Sequence, residues 1–151
     1  MSLRRKFRTF LSRSWRQKAM ICEAAIFLGL ARVAVLTIHF RYIARWLERE
    51  PAANPAGRIC DHALLLDVRH AVKTAARNVP WNAVCLPQAL AARTMLARRG
   101  YGSAFHLGAT FDQNGKLIAH AWLEAEGEIV VGREGMQGMA LLARYGGAGL
   151  N

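Results

Sequence analysis

A chain of 151 residues with 53% hydrophobic and 21% charged side chains can bury the core of one ordinary domain, which excludes wholesale disorder. Its 21 Lys and Arg against 10 Asp and Glu give a net charge of +11, concentrated at the front: residues 1–50 hold 11 basic and 3 acidic groups, and residues 1–18 hold 7 basic and none acidic. Such a front favours an anionic partner, whether surface or peptide. Cys22, Cys60 and Cys85 are too few and too scattered for a disulfide framework, and without a CxxC pair a finger-type zinc site is not expected.

In chain order, Leu3, Phe7, Phe10, Leu11 and Trp15 recur at helical spacing among arginines and predict a short basic amphipathic arm. Ser14 with Gln17 three residues on forms a capping-box pattern, and a long helix is expected from about Trp15 to Leu36. Its apolar stretch is cut by Glu23 and Arg32 into charge-free runs of eight residues, Ala24–Ala31 and Val33–Phe40. A spanning helix needs roughly 20 mostly apolar residues, so the stretch reads as a buried core helix, with Glu23 requiring an arginine partner. No apolar run with a small-residue cleavage site follows the basic start closely, and a reduced, cytoplasmic protein is the expectation.

The spacing of Phe40, Ile43, Ala44 and Leu47 predicts a second helix, followed by a loop over Pro51–Gly57. Leu64, Val68, Ala71, Val72 and Ala75 mark a third, closed by Asn78 and Pro80. A fourth is expected over Cys85–Arg99, with Pro87 in its first turn and Gly100 just past its end. Three short runs follow, Ser103–Phe111, Lys116–Leu123 and Glu128–Val131, with turns at Asn114-Gly115 and Glu126-Gly127. They predict an antiparallel meander. The fold class is therefore α+β, divided into a helical N-terminal region (1–57) and a core (58–151) within one compact domain.

Two residues carry the chemistry. Cys85 opens a helix, where unpaired backbone N–H groups and the helix dipole favour thiolate. His120 lies in the second strand, in Ile118-Ala119-His120-Ala121-Trp122. The pair meets only if the sheet carries His120 over the helix N-terminus, and a helix-start cysteine followed by a strand histidine is the layout of papain-like chemistry. His106 is read as a core or edge histidine, Trp122 as packing under the sheet, and Cys22 and Cys60 as buried filler. His62 and His70 are not read as a metal pair.

Cys85-Leu86-Pro87-Gln88-Ala89-Leu90-Ala91, Arg98-Arg99-Gly100-Tyr101, Leu107-Gly108 and His120-Ala121-Trp122-Leu123-Glu124 resemble the transglutaminase-like leader peptidases of lasso-peptide biosynthesis, the protease half of the B protein in its stand-alone form. The resemblance implies a helix-plus-small-sheet cysteine peptidase that removes the leader from a ribosomal precursor peptide, so that an ATP-dependent partner cyclase can close a macrolactam. It implies Cys85 as nucleophile and His120 as general base, and neither metal nor organic cofactor. An Asp is expected about a dozen residues after the histidine. Here Gly132 stands at that place, leaving Glu134, or a backbone carbonyl on His120 Nδ1, as the orienting group. The Cys85 N–H is the expected oxyanion donor, with Gln88 or Asn82 as assistants.

No winged-helix or other leader-reading segment is evident. A separate leader-recognition protein is therefore expected as partner, docking on the helical front half and raising the local concentration of the scissile bond. Two other readings compete. One keeps Cys85 and His120 but transfers the acyl group to an amine. The other is a non-enzymatic basic module contacting a membrane periphery or a partner; no nucleic-acid fold signature supports a nucleic-acid role.

Overall fold

The computed structural model describes residues 14–49 and 60–147; the basic arm, the Pro51–Gly57 loop and the expected boundary at residue 57 lie outside them. Four helices precede a sheet: α1 Trp15–Thr37, α2 Phe40–Glu48, α3 His62–Ala76 and α4 Cys85–Ala97, then β1 Ala104–Phe111, β2 Leu117–Ala125, β3 Glu128–Val131 and β4 Ala140–Tyr145. The α+β expectation holds.

Local chemistry explains most boundaries. Ser14 Oγ accepts from the Gln17 N–H at 3.3 Å, capping α1. Asp61 caps α3 by accepting from the Ala63 N–H at 3.1 Å. Glu126 and Gly127 both take positive φ, 51° and 76°, the two-residue geometry that turns β2 tightly into β3.

Met20, Ile21, Ala24, Leu28 and Ala31 form one buried stripe of α1, which packs on α3 and α4. α3 contributes Leu65, Val68, Ala71, Val72 and Ala75 to the same core. The opposite face of α1 is open, with Ile26, Leu30 and Val33 each more than half exposed. The expectation of a buried core helix is thus corrected: α1 is buried along one side only, because three further helices cannot encircle it. Cys22, expected buried, is exposed on that open side. Glu23 does find its arginine. The Arg99 guanidinium donates to both carboxylate oxygens, at 3.0 and 2.6 Å, in a bidentate clamp between α1 and the end of α4.

The sheet order is β3-β2-β1-β4, antiparallel throughout. β4 was not expected; it crosses over to pair with β1 and makes the sheet four-stranded. Ala140-Leu141-Leu142-Ala143 lacks alternation, since its burial is poor on both faces, and its place at the edge depends on β1. Phe105, Ala121, Leu123 and Ala125 face the helix layer and complete the core. Two buried or half-buried arginines lock the layers. Arg93 of α4 donates to the carbonyls of Ser103 and Leu47 at 3.0 and 2.7 Å, and Arg69 of α3 donates to those of Val130 and Ile129 at 3.1 and 2.6 Å. Each guanidinium thereby satisfies carbonyls while its own charge is solvated by them.

Candidate active site

Cys85 is the first residue of α4, after Val84 in extended backbone, and is half-buried against the core. The first intrahelical bond of this turn runs from the Gln88 N–H to the Val84 carbonyl at 3.2 Å. The Cys85 and Leu86 N–H groups therefore have no partner within the helix, and Pro87 has no N–H to leave orphaned. These unpaired donors at the head of α4 are available to an oxyanion. Gln88 spends its side-chain amide on the Ala83 carbonyl at 2.6 Å, steadying the approach to the helix, and Asn82 is exposed.

Burial and the neighbouring carboxylates of Glu126 and Asp61 push the Cys60 thiol up to about 11. That leaves it protonated at neutral pH and unfit as a nucleophile.

His120 sits on β2 opposite Gly108 of β1. Its Nε2 lies 2.7 Å from the Gly132 carbonyl oxygen. A carbonyl only accepts, so Nε2 carries the proton and the neutral ring keeps its lone pair on Nδ1. The group that orients the imidazole is thus the backbone of the residue standing where the resemblance called for Asp, acting on Nε2 rather than Nδ1. Glu134 turns elsewhere: its carboxylate is exposed and bonded to Lys73 of α3, which holds its carboxyl below the usual carboxylate range.

Gly132 has φ +89°, and a Cβ there would lie 2.6 Å from the Ala121 carbonyl oxygen and 2.7 Å from Trp122 Cβ. An Asp side chain could not be installed at this position without moving β2. Gly135, in the 3-10 turn Arg133–Gly135, lies flat against the imidazole: a Cβ there would fall 2.5 Å from Cε1 and 2.7 Å from each ring nitrogen. These two glycines were not singled out as site residues by sequence reasoning; the only signal was their place just after β3, a dozen residues beyond the histidine.

The rest of the His120 face is aromatic. Trp122 stacks between His106, at 5.3 Å between centroids, and His120, at 6.3 Å. His106 is buried, as expected. Its Nε2 stands 3.1 Å from Glu124 Oε2, near enough for ion pairing but out of line for a hydrogen bond. Burial pushes this imidazole below its usual value against the opposing pull of Glu124, with Arg144 adding to the lowering.

α4 is followed after six residues by β1, and Arg93 ties the helix to the start of that strand. A 13-residue helix is roughly 20 Å long, about six strand residues. The helix packs on β2 and β3 of the sheet. The pleat puts His120 with Trp122 and Glu124 on the face opposite Ala121 and Leu123. β3 pairs only with Leu123–Ala125, so β2 ahead of Leu123 has an open edge on that side, and the imidazole bonds Gly132 there. His120 thus lies on the sheet face turned away from the helix layer to which Cys85 belongs, beside Gly132 and Gly135.

A model of the transglutaminase-like superfamily matches residues 27–144, which include α2 to α4, β1 to β3, β4 up to Arg144, and both Cys85 and His120. The chain belongs to that superfamily, whose fold is that of cysteine proteases and acyltransferases. No curated protein and no solved structure matches it.

Proposed function

We propose that the protein is a cysteine peptidase that removes the leader from a ribosomally made lasso-peptide precursor, before a partner cyclase closes the macrolactam. The observation that carries the catalytic part is the contact of His120 Nε2 with the Gly132 carbonyl. With Nε2–H held by Gly132, Nδ1 is the acceptor, in a transglutaminase-like chain whose Cys85 opens α4. The precursor and the cyclase come from the sequence resemblance, and the cytoplasmic location from the absence of a cleavable apolar run close behind the basic start.

The chemistry follows from these groups. In this reading His120 Nδ1 takes the Cys85 proton once the two side chains are brought together, and Sγ attacks the scissile carbonyl carbon. Negative charge on the carbonyl oxygen falls to the unpaired N–H groups at the start of α4. Collapse breaks the C–N bond as the imidazolium returns its proton to the leaving amine, giving a thioester. Water, deprotonated by Nδ1, then releases the leader as a free acid and restores the thiol. A carbonyl dipole at Nε2 fixes the ring's orientation but brings no full negative charge to stabilise the imidazolium. Gly132 takes the orienting role here and Glu134 stays with Lys73. A shallow cleft orders an extended leader poorly, so a separate recognition protein should raise the rate greatly.

The test is mass spectrometry of the precursor after incubation with this chain, with and without the leader-recognition protein. A free-acid leader that is lost in Cys85→Ala and His120→Ala but retained in Cys22→Ala and Cys60→Ala is the expected result. An amide product would mean acyl transfer to an amine, and undiminished cleavage by Cys85→Ala would end the proposal. Charge reversal at Arg4, Arg5 and Arg8, which lie outside the described residues, should reduce the partner's gain more than basal cleavage.

A further inference from the structure

The open side of α1 is the largest feature that the catalytic reading leaves unused. Cys22, Ile26, Leu30 and Val33 recur along it at helical spacing with no charged residue among them, and Trp15 stands one turn beyond Lys18. Ile26, Leu30 and Val33 are 62%, 60% and 58% exposed. A surface helix of a globular protein normally places its charges on this face. The apolar surface continues past the end of α1 through Ile38 to Phe40, Tyr42 and Trp46 of α2, all exposed. Between the two helices runs an apolar groove of about 390 Å³, lined by Phe27, Leu30, Ile38, Tyr42 and Trp46 among others. A continuous patch of this kind marks a binding face.

We propose that this face seats on the interface of an anionic lipid bilayer, with α1 lying in the membrane plane. Three observations select that occupant. First, α1 cannot cross the membrane while folded as here, because Ala24 and Leu28 on its other side are fully buried against α3 and α4 and Glu23 is clamped by Arg99. Second, the charge of α1 and α2 is positive: among the described residues 14–49, Arg16, Lys18, Arg32, Arg41, Arg45 and Arg49 stand against Glu23 and Glu48. Two copies meeting through this face would set two such fronts against each other, whereas anionic headgroups neutralise them. Third, the rim carries the side chains that suit a headgroup layer. The Arg41 and Arg45 guanidinium carbons lie 4.7 and 5.9 Å from the Tyr42 ring centroid, with Trp46 one turn on and Trp15 at the far end of α1. The proposal is independent of the peptidase reading. It assigns to the bilayer the front-half surface on which the recognition protein was expected to dock.

The test is flotation of the full chain with phosphatidylcholine vesicles and with vesicles containing 30% phosphatidylglycerol. At least tenfold stronger partitioning onto the anionic vesicles is expected, with bound-state quenching of Trp15 and Trp46 by brominated acyl chains. The charge-neutral double variant Ile26→Asn/Leu30→Asn should partition at least tenfold less while keeping the wild-type circular dichroism and melting point, because two exposed apolar side chains no longer enter the acyl boundary. The swap Ile26→Leu/Leu30→Ile should retain binding. Absence of flotation on anionic vesicles at low salt would overturn the proposal, as would equal flotation of the Asn variant, which would leave only diffuse basic attraction. A self-association or recognition-protein complex that depends on Ile26 and Leu30 while vesicles do not would assign the face to protein instead.

Discussion

Gly135→Ala isolates the link between the β3–β4 connection and His120. The new methyl would lie 2.5 Å from Cε1 and 2.7 Å from Nδ1 and Nε2, where carbon contacts need about 3.5 Å. Gly135 is not in a left-handed conformation, so the strain comes from the ring and not from the backbone. The imidazole must shift by about 1 Å or rotate, and either movement breaks its 2.7 Å bond to the Gly132 carbonyl. Losing that bond costs about 1 kcal/mol, and crowding a packed site adds about 1–3 kcal/mol. A total of about 2–4 kcal/mol should lower the melting point by about 5–15 °C for a chain of this length. Catalysis should suffer more than stability. A positioned base contributes about 10²–10⁴-fold, so leader removal should fall at least about 100-fold in kcat with KM little changed. Precursor cleavage followed by mass spectrometry gives the rate. Nitrogen-15 spectra of the His120 ring give the tautomer, whose slowly exchanging Nε2–H should disappear. Wild-type cleavage together with unchanged ring signals would refute both the packing of Gly135 on the imidazole and its consequence.

Three further outcomes follow from the same geometry. Glu134→Gln should leave turnover within about twofold and stability within about 0.5 kcal/mol, since the exposed carboxylate serves Lys73; a tenfold fall in the cleavage assay would return Glu134 to the imidazole. Arg99→Ala should cost about 2 kcal/mol in urea unfolding, because Glu23, largely buried, would keep only Arg98 at 3.9 Å. His106 binds its proton less tightly folded than unfolded. Unfolding therefore takes up a proton below about pH 6.5, and the melting point should fall from pH 7 to pH 5, a slope that His106→Gln flattens; Glu124 and Arg144 face the ring and should be kept intact in that series.

Local signals carried much of the fold. The Ser14 cap, the apolar stripes of α2 and α3, the thiol at the head of α4 and the Glu126-Gly127 turn are all decided by residues within a few positions of one another. Periodicity and turn chemistry therefore reveal them before any packing is known. The same locality makes Cys85 recognisable, since a helix start is written in the residues around it, and it makes Glu23 conspicuous as a lone acid in an apolar run.

Tertiary structure alone decided the rest. β4 exists because β1 offers it an edge, and nothing in Ala140-Leu141-Leu142-Ala143 announces a strand by itself. That His120 leans on the carbonyl of Gly132, and that Glu134 goes to Lys73 instead, depends on where the connection after β3 falls relative to α3 and β2. A carbonyl partner is invisible in sequence because every residue carries one; only position distinguishes it. The half-open state of α1 was hidden for a related reason. Composition records that a helix is apolar all round, but which side is covered depends on how many other elements reach it, and here α3 and α4 cover only one.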